Sequence, residues 1–301
     1  NPGTALGSEW KNKFFLVEFV GNPSRSHIWS FGLKPSGASF ELADDKDVVS
    51  GILPTGIKFG PDGALYVADW INGWDTKNYG RVWKLDVSDD KNDLKDIRIE
   101  TKRLMQLDYS KQSEEELYKL LSYADMRIRQ KSQLELAKRE KRGWEIFKRA
   151  VEQKDNQLAR VHGIWGIGQL ARKDLTFAAP LLDLFKDNDP EIVAQAAKIA
   201  GDVNYKEAGS YLIPLLSHEY PRAVFFAAQA LGRTGFQDAV APILSMLERN
   251  NDKDVYLRHA GVLALTRIGQ EGPVAALVDN PSRALRTAAV LVLRRMKSEK
   301  V

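Results

Sequence analysis

The sequence predicts a β-rich first part, organised like the last blades of a β-propeller, followed by an α-solenoid. Two observations predict this order. Short runs of aromatic and β-branched residues, separated by turn sequences, fill residues 1–104. From about Glu114 to the C-terminus, a helical pattern with small residues at fixed positions recurs six times. Residues 105–113 are expected to link a propeller domain at 1–104 to a solenoid domain at 114–301.

The candidate strands of the first part fall into two successive sets. In the second set, Pro61-Asp62-Gly63 is expected to make a tight turn between two apolar runs. We expect four strands in each set, with the innermost strand of the first set poorly defined near the N-terminus. The candidate strands are residues 13–20, 27–33 and 38–42 in the first set, and residues 56–59, 64–70, 80–87 and 97–104 in the second.

Two four-stranded units in succession are typical of propeller blades, which recur about every 40–50 residues. Two blades cannot close a propeller, because about four are the usual minimum. Two isolated blades would also expose an apolar face and open strand edges. We therefore expect the chain to be the C-terminal part of a larger protein with further blades before it, and those blades to be its partners.

The solenoid prediction depends on the spacing of small residues in six candidate second helices. Residues three before and four after each small residue lie on the same helix face, so each repeat offers the next a similar seam. Periods in this range indicate stacked helix pairs. Ser113–Glu116 is expected to cap the first of these helices. The six small residues are Ser132, Gly163, Ala196, Ala227, Gly261 and Ala289, separated by 31, 33, 31, 34 and 28 positions.

Arginine stands three residues before the small residue in four of the six repeats. Such a column could hold an acidic partner, or it could bond carbonyls and aspartates at the turns between repeats, which is the interpretation we favour. The four residues are Arg129, Arg160, Arg258 and Arg286.

Composition excludes several kinds of site within this chain. With no cysteine, the chain has no disulfide, thiolate zinc site or covalent haem attachment. The four histidines lack metal-ligand spacing, so no metal site is predicted. The net charge is +4, with −3 in residues 1–100 and +7 in the remainder. Because most of these cations accompany acids on the same helices, no nucleic-acid partner is predicted. No apolar run is long enough to cross a membrane.

The residues also point to a family. Residues 56–86, GIKFGPDGALYVADWINGWDTKNYGRVWKLD, resemble the last blade of glucose/sorbosone dehydrogenase-like propellers. Together with RVHGIWGIGQLARK, PRAVFFAAQALGRTG and DVYLRHAGVLALTRIG, they resemble the membrane-bound dehydrogenase-like proteins of planctomycetes, verrucomicrobia and bacteroidetes. Those large secreted proteins join such a propeller to HEAT repeats and, commonly, to a cytochrome c-type haem domain. The resemblance covers nearly the whole chain.

The resemblance implies a periplasmic, extracellular or cell-surface fragment of a quinoprotein-like sugar or alcohol dehydrogenase. It implies PQQ, with calcium or haem c as further possibilities, in the parent protein and no cofactor within this chain. The HEAT solenoid would hold the propeller against the haem domain or another protein. Most of the propeller and the cysteine-containing haem motif are absent here, so we do not expect this chain to be active alone. The alternative is a non-catalytic propeller–solenoid scaffold that binds carbohydrate or protein.

The predicted strand order places three loops, residues 21–27, 50–56 and 70–80, on the face where propellers usually bind ligands. His27 is the weak catalytic candidate, and aromatic faces beside amides and a carboxylate suit a sugar or a planar quinone. Each of these roles has a structural alternative that remains open. The tryptophans could pack the blade instead of binding a ligand, and His27 could be an ordinary surface residue instead of a catalytic one. Asp69 and Asp62 are expected to be structural. The candidate ligand-binding residues are Arg25, Trp70, Asn72, Trp74, Asp75 and Lys77, with Asn78 beside them.

Overall fold

The structure, a computed structural model, describes residues 1–71 and 80–299. The chain divides into two compact units. The first comprises Asn1–Lys34 and Phe40–Glu135, and the second comprises Pro35–Ser39 and Leu136–Val301. The boundary falls inside a helix, whereas the sequence places a linker at 105–113. The predicted domain limits stay a prediction.

The first unit contains two antiparallel sheets of three strands each, in the orders β1-β2-β3 and β4-β5-β6. The predicted strands that begin at residues 13, 27, 38, 56, 64 and 80 are present, each starting within two residues of the prediction, but the strand predicted for 38–42 continues to Ser50. The strands are β1 Phe14–Glu18, β2 His27–Ser36, β3 Ser39–Ser50, β4 Pro54–Phe59, β5 Leu65–Asp69 and β6 Arg81–Leu85.

The predicted seventh strand, residues 97–104, is wrong, because this segment belongs to helix α1, Lys95–Met105. Ile97 and Ile99 alternate with charged residues as a strand would, yet Ile99 is exposed. The buried side chains are instead Arg98, Thr101 and Leu104, at helical spacing. A contact distant in sequence fixes this outcome, since the Arg98 guanidinium donates to the Asp62 carbonyl and the Asp86 carboxylate. The two described sheets therefore lack the fourth strand expected of a blade.

A small apolar core forms within the first unit. Ile28 of β2 and Leu65 and Val67 of β5 are fully buried. The rings of Phe15 and Phe59 meet edge to face, with centroids 5.3 Å apart. Side chains alternate along a strand, so the neighbours of Phe15 in β1 point to the opposite face of the first sheet.

Two further helices follow in the first unit, α2 Glu114–Leu120 and the greater part of α3 Met126–Lys138. The predicted capping box at the start of α2 is present, with Ser113 and Glu116 bonding reciprocally. At the start of α3, Asp125 is fully buried and accepts hydrogen bonds from Arg127 and Thr4. Arg127 also donates to the carbonyls of Phe59 and Gly60. These bonds tie the helices to strand β4 and the turn after it.

The second unit is the solenoid that the repeat predicted. The small residues at the six predicted positions are all buried. Together with α3, the second helices are α5 Gln157–Ala171, α7 Pro190–Asp202, α9 Pro221–Thr234, α11 Val255–Ile268 and α13 Arg283–Met296. The intervening first helices are α4 Lys141–Glu152, α6 Leu181–Leu184, α8 Gly209–Leu212, α10 Val240–Asn250 and α12 Glu271–Ala275. Three of these first helices, α6, α8 and α12, have five residues or fewer.

Glycines let successive second helices approach closely. A Cβ atom on Gly168 would lie 2.6 Å from a side-chain carbon of Ile199 in the next helix. On Gly201 it would lie 2.7 Å from the Cα atom of Ala230. On Gly232 it would lie 2.5 Å from the Cα atom of Ala264. All three glycines stand five residues after the small residue of their repeat, so one packing arrangement is reused along the stack.

Among the helices of residues 1–71 and 80–299, none combines the length and the apolar character that a membrane span requires.

Candidate functional site

The candidate residues Arg25 and His27 lie next to each other at the start of β2. Arg25 ends a 3₁₀ turn, Pro23–Arg25, that is capped by the side chain of Asn22. Its own side chain is exposed and forms no ion pair within the part of the chain that is described. The Nδ1 atom of His27 lies 2.8 Å from a carboxylate oxygen of Asp47. The arrangement is an imidazole held by a carboxylate, with a single exposed cation nearby.

Trp29 extends this group along β2. Its ring centroid lies 5.3 Å from that of His27, and its indole N–H donates to Glu18 at 2.7 Å. The side chains of His27, Trp29 and Glu18 share one face of the first sheet, because Glu18 pairs with His27 and Leu16 with Trp29. Sequence reasoning missed Asp47 and Glu18, because only the pairing of distant strands brings these carboxylates to His27 and Trp29.

PQQ carries three carboxylates, so a site for it needs several converging cations or hydrogen-bond donors. Of the candidate residues that the structure describes here, Arg25 is the one cation, and the imidazole of His27 already faces Asp47. Arg25 and His27 therefore do not provide the converging donors that PQQ would need, and we derive no catalytic step through PQQ.

The third candidate loop falls mainly outside the described residues, which end at 71 and resume at 80. Asn72, Trp74, Asp75, Lys77 and Asn78 lie in that gap. Trp70 is described and half-buried, and its backbone N–H donates to the Leu53 carbonyl at 2.8 Å. The sugar or quinone site predicted for this loop stays a prediction.

The structural roles expected for Asp69 and Asp62 are confirmed. Asp69 is buried and accepts hydrogen bonds from the Leu53 backbone and the Trp83 indole, and it pairs with Arg81. Asp62 accepts bonds from the Ala64 backbone and the Tyr66 hydroxyl and pairs with Lys84. Partial burial opposes ionisation of Asp62, but these donors outweigh it and lower its pKa.

The column of four arginines is structural, as favoured. Arg129 donates to the carbonyls of Tyr123 and Ala124, and Arg286 donates to two carbonyls of the turn before its helix. Arg258 pairs with Asp252 at 3.4 Å. These bonds hold turns in place, so the column does not present free guanidinium groups to a partner.

Arg160 makes the most buried of these contacts. It donates to the Val151 carbonyl at 2.9 Å and to both carboxylate oxygens of Asp187, at 3.0 and 2.5 Å. Asp187 belongs to the turn that precedes α7, so the pair joins one repeat to the next. The bonds from Arg160 lower the pKa of Asp187 far below its usual range.

A second network crosses the exposed side of the second helices. The Trp165 indole of α5 donates to Gln195 of α7 at 2.9 Å, and Gln195 donates to Glu191 at 2.7 Å. Glu191 also accepts from Arg222 of α9 and from the hydroxyl of Tyr220. Side chains thus connect three successive helices across this surface.

The histidines of the solenoid do not form a metal site. His162 is buried, and its ring meets that of Trp165 with centroids 5.1 Å apart. His259 is exposed, and His218 accepts a bond from the Tyr220 backbone. Within residues 1–71 and 80–299, no three histidine or acidic side chains are grouped as metal ligands would be.

Comparison with known proteins identifies the repeats. Residues 210–294 match the family profile described as HEAT repeats. No curated protein sequence matches the chain. Similar solved structures include an engineered protein, Northeast Structural Genomics Consortium target OR329, with 17% identity, 61% of this chain and 96% of that chain covered, and a TM-score of 0.42.

The complex of CpcE and CpcF of phycocyanin lyase from Nostoc sp. PCC7120 is similar at 17% identity, with 62% of this chain and 77% of that chain covered and a TM-score of 0.43. A designed armadillo repeat protein is similar at 14% identity, with 60% and 98% covered and a TM-score of 0.38. The profile match supports a HEAT-repeat region, and it does not extend to a dehydrogenase or a propeller.

Proposed function

We propose that this chain, whose residues 210–294 form a HEAT-repeat region, is a scaffold that holds another protein on the exposed side of its second helices. The observation that carries the proposal is the direct stacking of these helices through glycine contacts. Because the same helix positions recur at each step, their outward side chains form one continuous surface. Extended surfaces of this kind are what helical solenoids use to bind partners.

The side chains on this surface suit a protein partner. Leu158 of α5 and Tyr256 of α11 are each about half exposed. Between these helices, the network around Glu191 holds Arg222 in a fixed position. Exposed aromatic residues and pre-positioned arginines are the residue types that contribute most to protein interfaces.

Replacement of Tyr256 by alanine tests the proposal. The tagged chain is purified from the cells that naturally make it, and copurifying proteins are quantified. We expect one of them to be reduced at least about tenfold by Tyr256→Ala, since a hot-spot tyrosine contributes about 2 kcal/mol or more. Tyr211→Ala is the control, because Tyr211 is similarly exposed, at 44% against 49%, but lies on the first helix α8. Equal recovery with both variants would contradict the proposal.

For the first unit, we propose that its sheets are two neighbouring blades of a propeller. Apolar side chains on both faces of the first sheet support this, and Glu18 and His27 share the outer face with them. One face carries Phe15 and Ile28 toward the second sheet, and the other carries Phe14 and Leu16, which are at least half exposed. A further sheet packed on Phe14 and Leu16 would repeat the face-to-face packing already made on the other side. Blades in a propeller are arranged in this way.

A second candidate function is sugar or alcohol dehydrogenase activity of a longer periplasmic or extracellular protein, with a haem domain as a neighbour. The observation that favours it is the hydrogen bond between His27 and Asp47. A carboxylate that binds one imidazole nitrogen orients the ring so that the other nitrogen can accept a proton.

The enzyme hypothesis is tested on the native polypeptide as purified from its source. Its N-terminal sequence is determined, and its dye-linked oxidation of aldoses and alcohols is assayed. We expect β-rich sequence before the 301 residues of this chain and activity that His27→Gln lowers about 100-fold in kcat. Arg172→Gln, an exposed change in the solenoid, serves as the control. A native chain without further strands, or no oxidation of any substrate, would exclude this candidate.

A further inference from the structure

The last three second helices are basic and contain no acidic residue. Two arginines lie in α9, two in α11 and four in α13. By contrast, α5 contains a single arginine, and α7 contains Glu191 and Asp202. Among the second helices that follow α3, positive charge without acidic residues is therefore a feature of the last three.

Half of these arginines already have partners. Arg222 and Arg233 pair with Glu191 and Asp202 of α7. Arg258 and Arg286 bond the turns before their own helices. The other half are exposed and form neither an ion pair nor a hydrogen bond within residues 1–71 and 80–299. These are Arg267, Arg283, Arg294 and Arg295.

Three of the eight arginines occupy equivalent positions in consecutive repeats. Arg233, Arg267 and Arg295 each stand six residues after the buried small residue of their helix. They therefore lie on the same side and at the same end of α9, α11 and α13, which contact one another in that order. We call these three residues the arginine edge. Partial burial and the neighbouring charge of Arg233 lower the pKa of Arg267, as expected for two like charges held near each other.

A position in the last turn of a helix is favourable for arginine in itself, because the helix dipole is negative there. The helix dipole explains why an arginine is favourable at this position of each helix. It does not explain why these helices contain no acidic residue. On α7, the same position is held by Asp202, which is bonded to Lys198 and Arg233. In α9, α11 and α13 this position is held by arginine, and of these three arginines Arg233 alone has an ion-pair partner among the described residues.

The spacing of the arginine edge fits an extended peptide. Packed helices lie about 8–10 Å apart, and three residues of an extended polyproline II segment span about 9 Å and bring the side chain back to the same face. We propose that the arginine edge binds an extended acidic segment of another protein, with carboxylates at every third residue. The guanidinium groups of Arg267 and Arg295 would each hold a carboxylate through paired N–H donors, while Arg233 stays paired with Asp202 at one end of the edge. This inference rests on the proposed scaffold function and names the chemistry of its partner.

A peptide is favoured over a nucleic acid because acids remain on the same surface. Glu191 and Asp202 of α7 lie next to the basic helices and would repel a phosphate backbone that continued along the stack. The net charge of the whole chain is only +4. A single-stranded oligonucleotide is therefore a distinguishing probe.

The test is fluorescence anisotropy with a fluorescein-labelled peptide that carries glutamate at every third position and serine or glycine between. We expect binding in about 50 mM salt that weakens strongly at about 200 mM, because exposed ion pairs are screened. The double variant Arg267→Gln, Arg295→Gln should bind at least about tenfold more weakly. Lys186→Gln with Lys206→Gln removes the same charge from two exposed turn positions and should change the affinity little.

Three results would overturn the inference. They are no binding of the spaced peptide, equal weakening by both double variants, and equal or tighter binding of a block of adjacent glutamates or of oligothymidylate. Unchanged thermal unfolding of each variant shows that any loss of binding is local. If the peptide fails to bind while the copurifying protein still depends on Tyr256, the arginine edge is wrong and the scaffold function stands.

Discussion

Substitution of Gly232 by alanine should destabilise the solenoid by about 3 kcal/mol. The added Cβ atom would lie 2.5 Å from the Cα atom and 3.0 Å from the Cβ atom of Ala264. Neither atom can move alone, because Ala264 is part of the α11 backbone and is fully buried. Helices α9 and α11 must therefore separate, which disturbs the packing of the repeats on both sides.

Urea unfolding followed by the helical circular dichroism signal measures this effect. Alanine is intrinsically favoured over glycine in a helix by about 1 kcal/mol, so propensity works against the expected loss. Gly56→Ala is the matched control, because nothing lies within 4 Å of the added atom and its φ is not positive. That variant should shift the free energy of unfolding by less than about 1 kcal/mol. A Gly232 variant as stable as the Gly56 variant would refute the close helix contact.

Replacing Arg160 by methionine should also cost about 3 kcal/mol, because it leaves Asp187 as a buried carboxylate without its main partner. The side chains of Arg160 and Asp187 are only 3% and 5% exposed. Lys154 offers a matched control, since it bonds the same carboxylate at 2.7 Å but is 67% exposed. Lys154→Met should therefore cost less than about 1 kcal/mol. Similar losses in the two variants would mean that burial of the pair does not matter.

The Arg160–Asp187 pair should make the free energy of unfolding decrease at acidic pH. Hydrogen bonds from Arg160 depress the pKa of Asp187 in the folded protein, whereas an unfolded aspartate titrates near about 3.9. The stabilisation is therefore complete above about pH 4 and is lost as the pH falls further. The urea midpoint of the native sequence should fall more steeply below pH 4 than that of Asp187→Asn. Parallel pH profiles would exclude Asp187 as a source of acid lability.

The helical part could be predicted because its signal is local and repeated. Small residues such as Ala196 and Ala227 recur at fixed intervals, and a helix places such positions on one face. The Ser113–Glu116 capping box is likewise a short-range pattern, and both predictions hold in the structure. Gly168, Gly201 and Gly232 recur just as regularly, but the sequence does not predict their role. That role depends on how closely the next helix approaches, which spacing alone does not reveal.

The candidate site was less predictable. His27 could be singled out by residue type, but its partner Asp47 lies 20 residues away on another strand. Whether Arg160 and Arg129 faced a partner or the protein's own turns depended on carbonyls and a carboxylate that only the packed helices bring near. Sequence reasoning could weigh these alternatives, and the hydrogen bonds decided between them.

By itself, the sequence determined the order of β and α parts, the helical repeat, the tight turn at Pro61-Asp62-Gly63 and the absence of thiol chemistry. These features depend on residue type and on periods shorter than one repeat. Tertiary structure alone decided that residues 97–104 are helical, that His162 is buried and that Arg267 and Arg295 have no ion pair among the residues that the structure describes. Each of these outcomes depends on contacts between residues far apart in the chain, whose energies outweigh local preference.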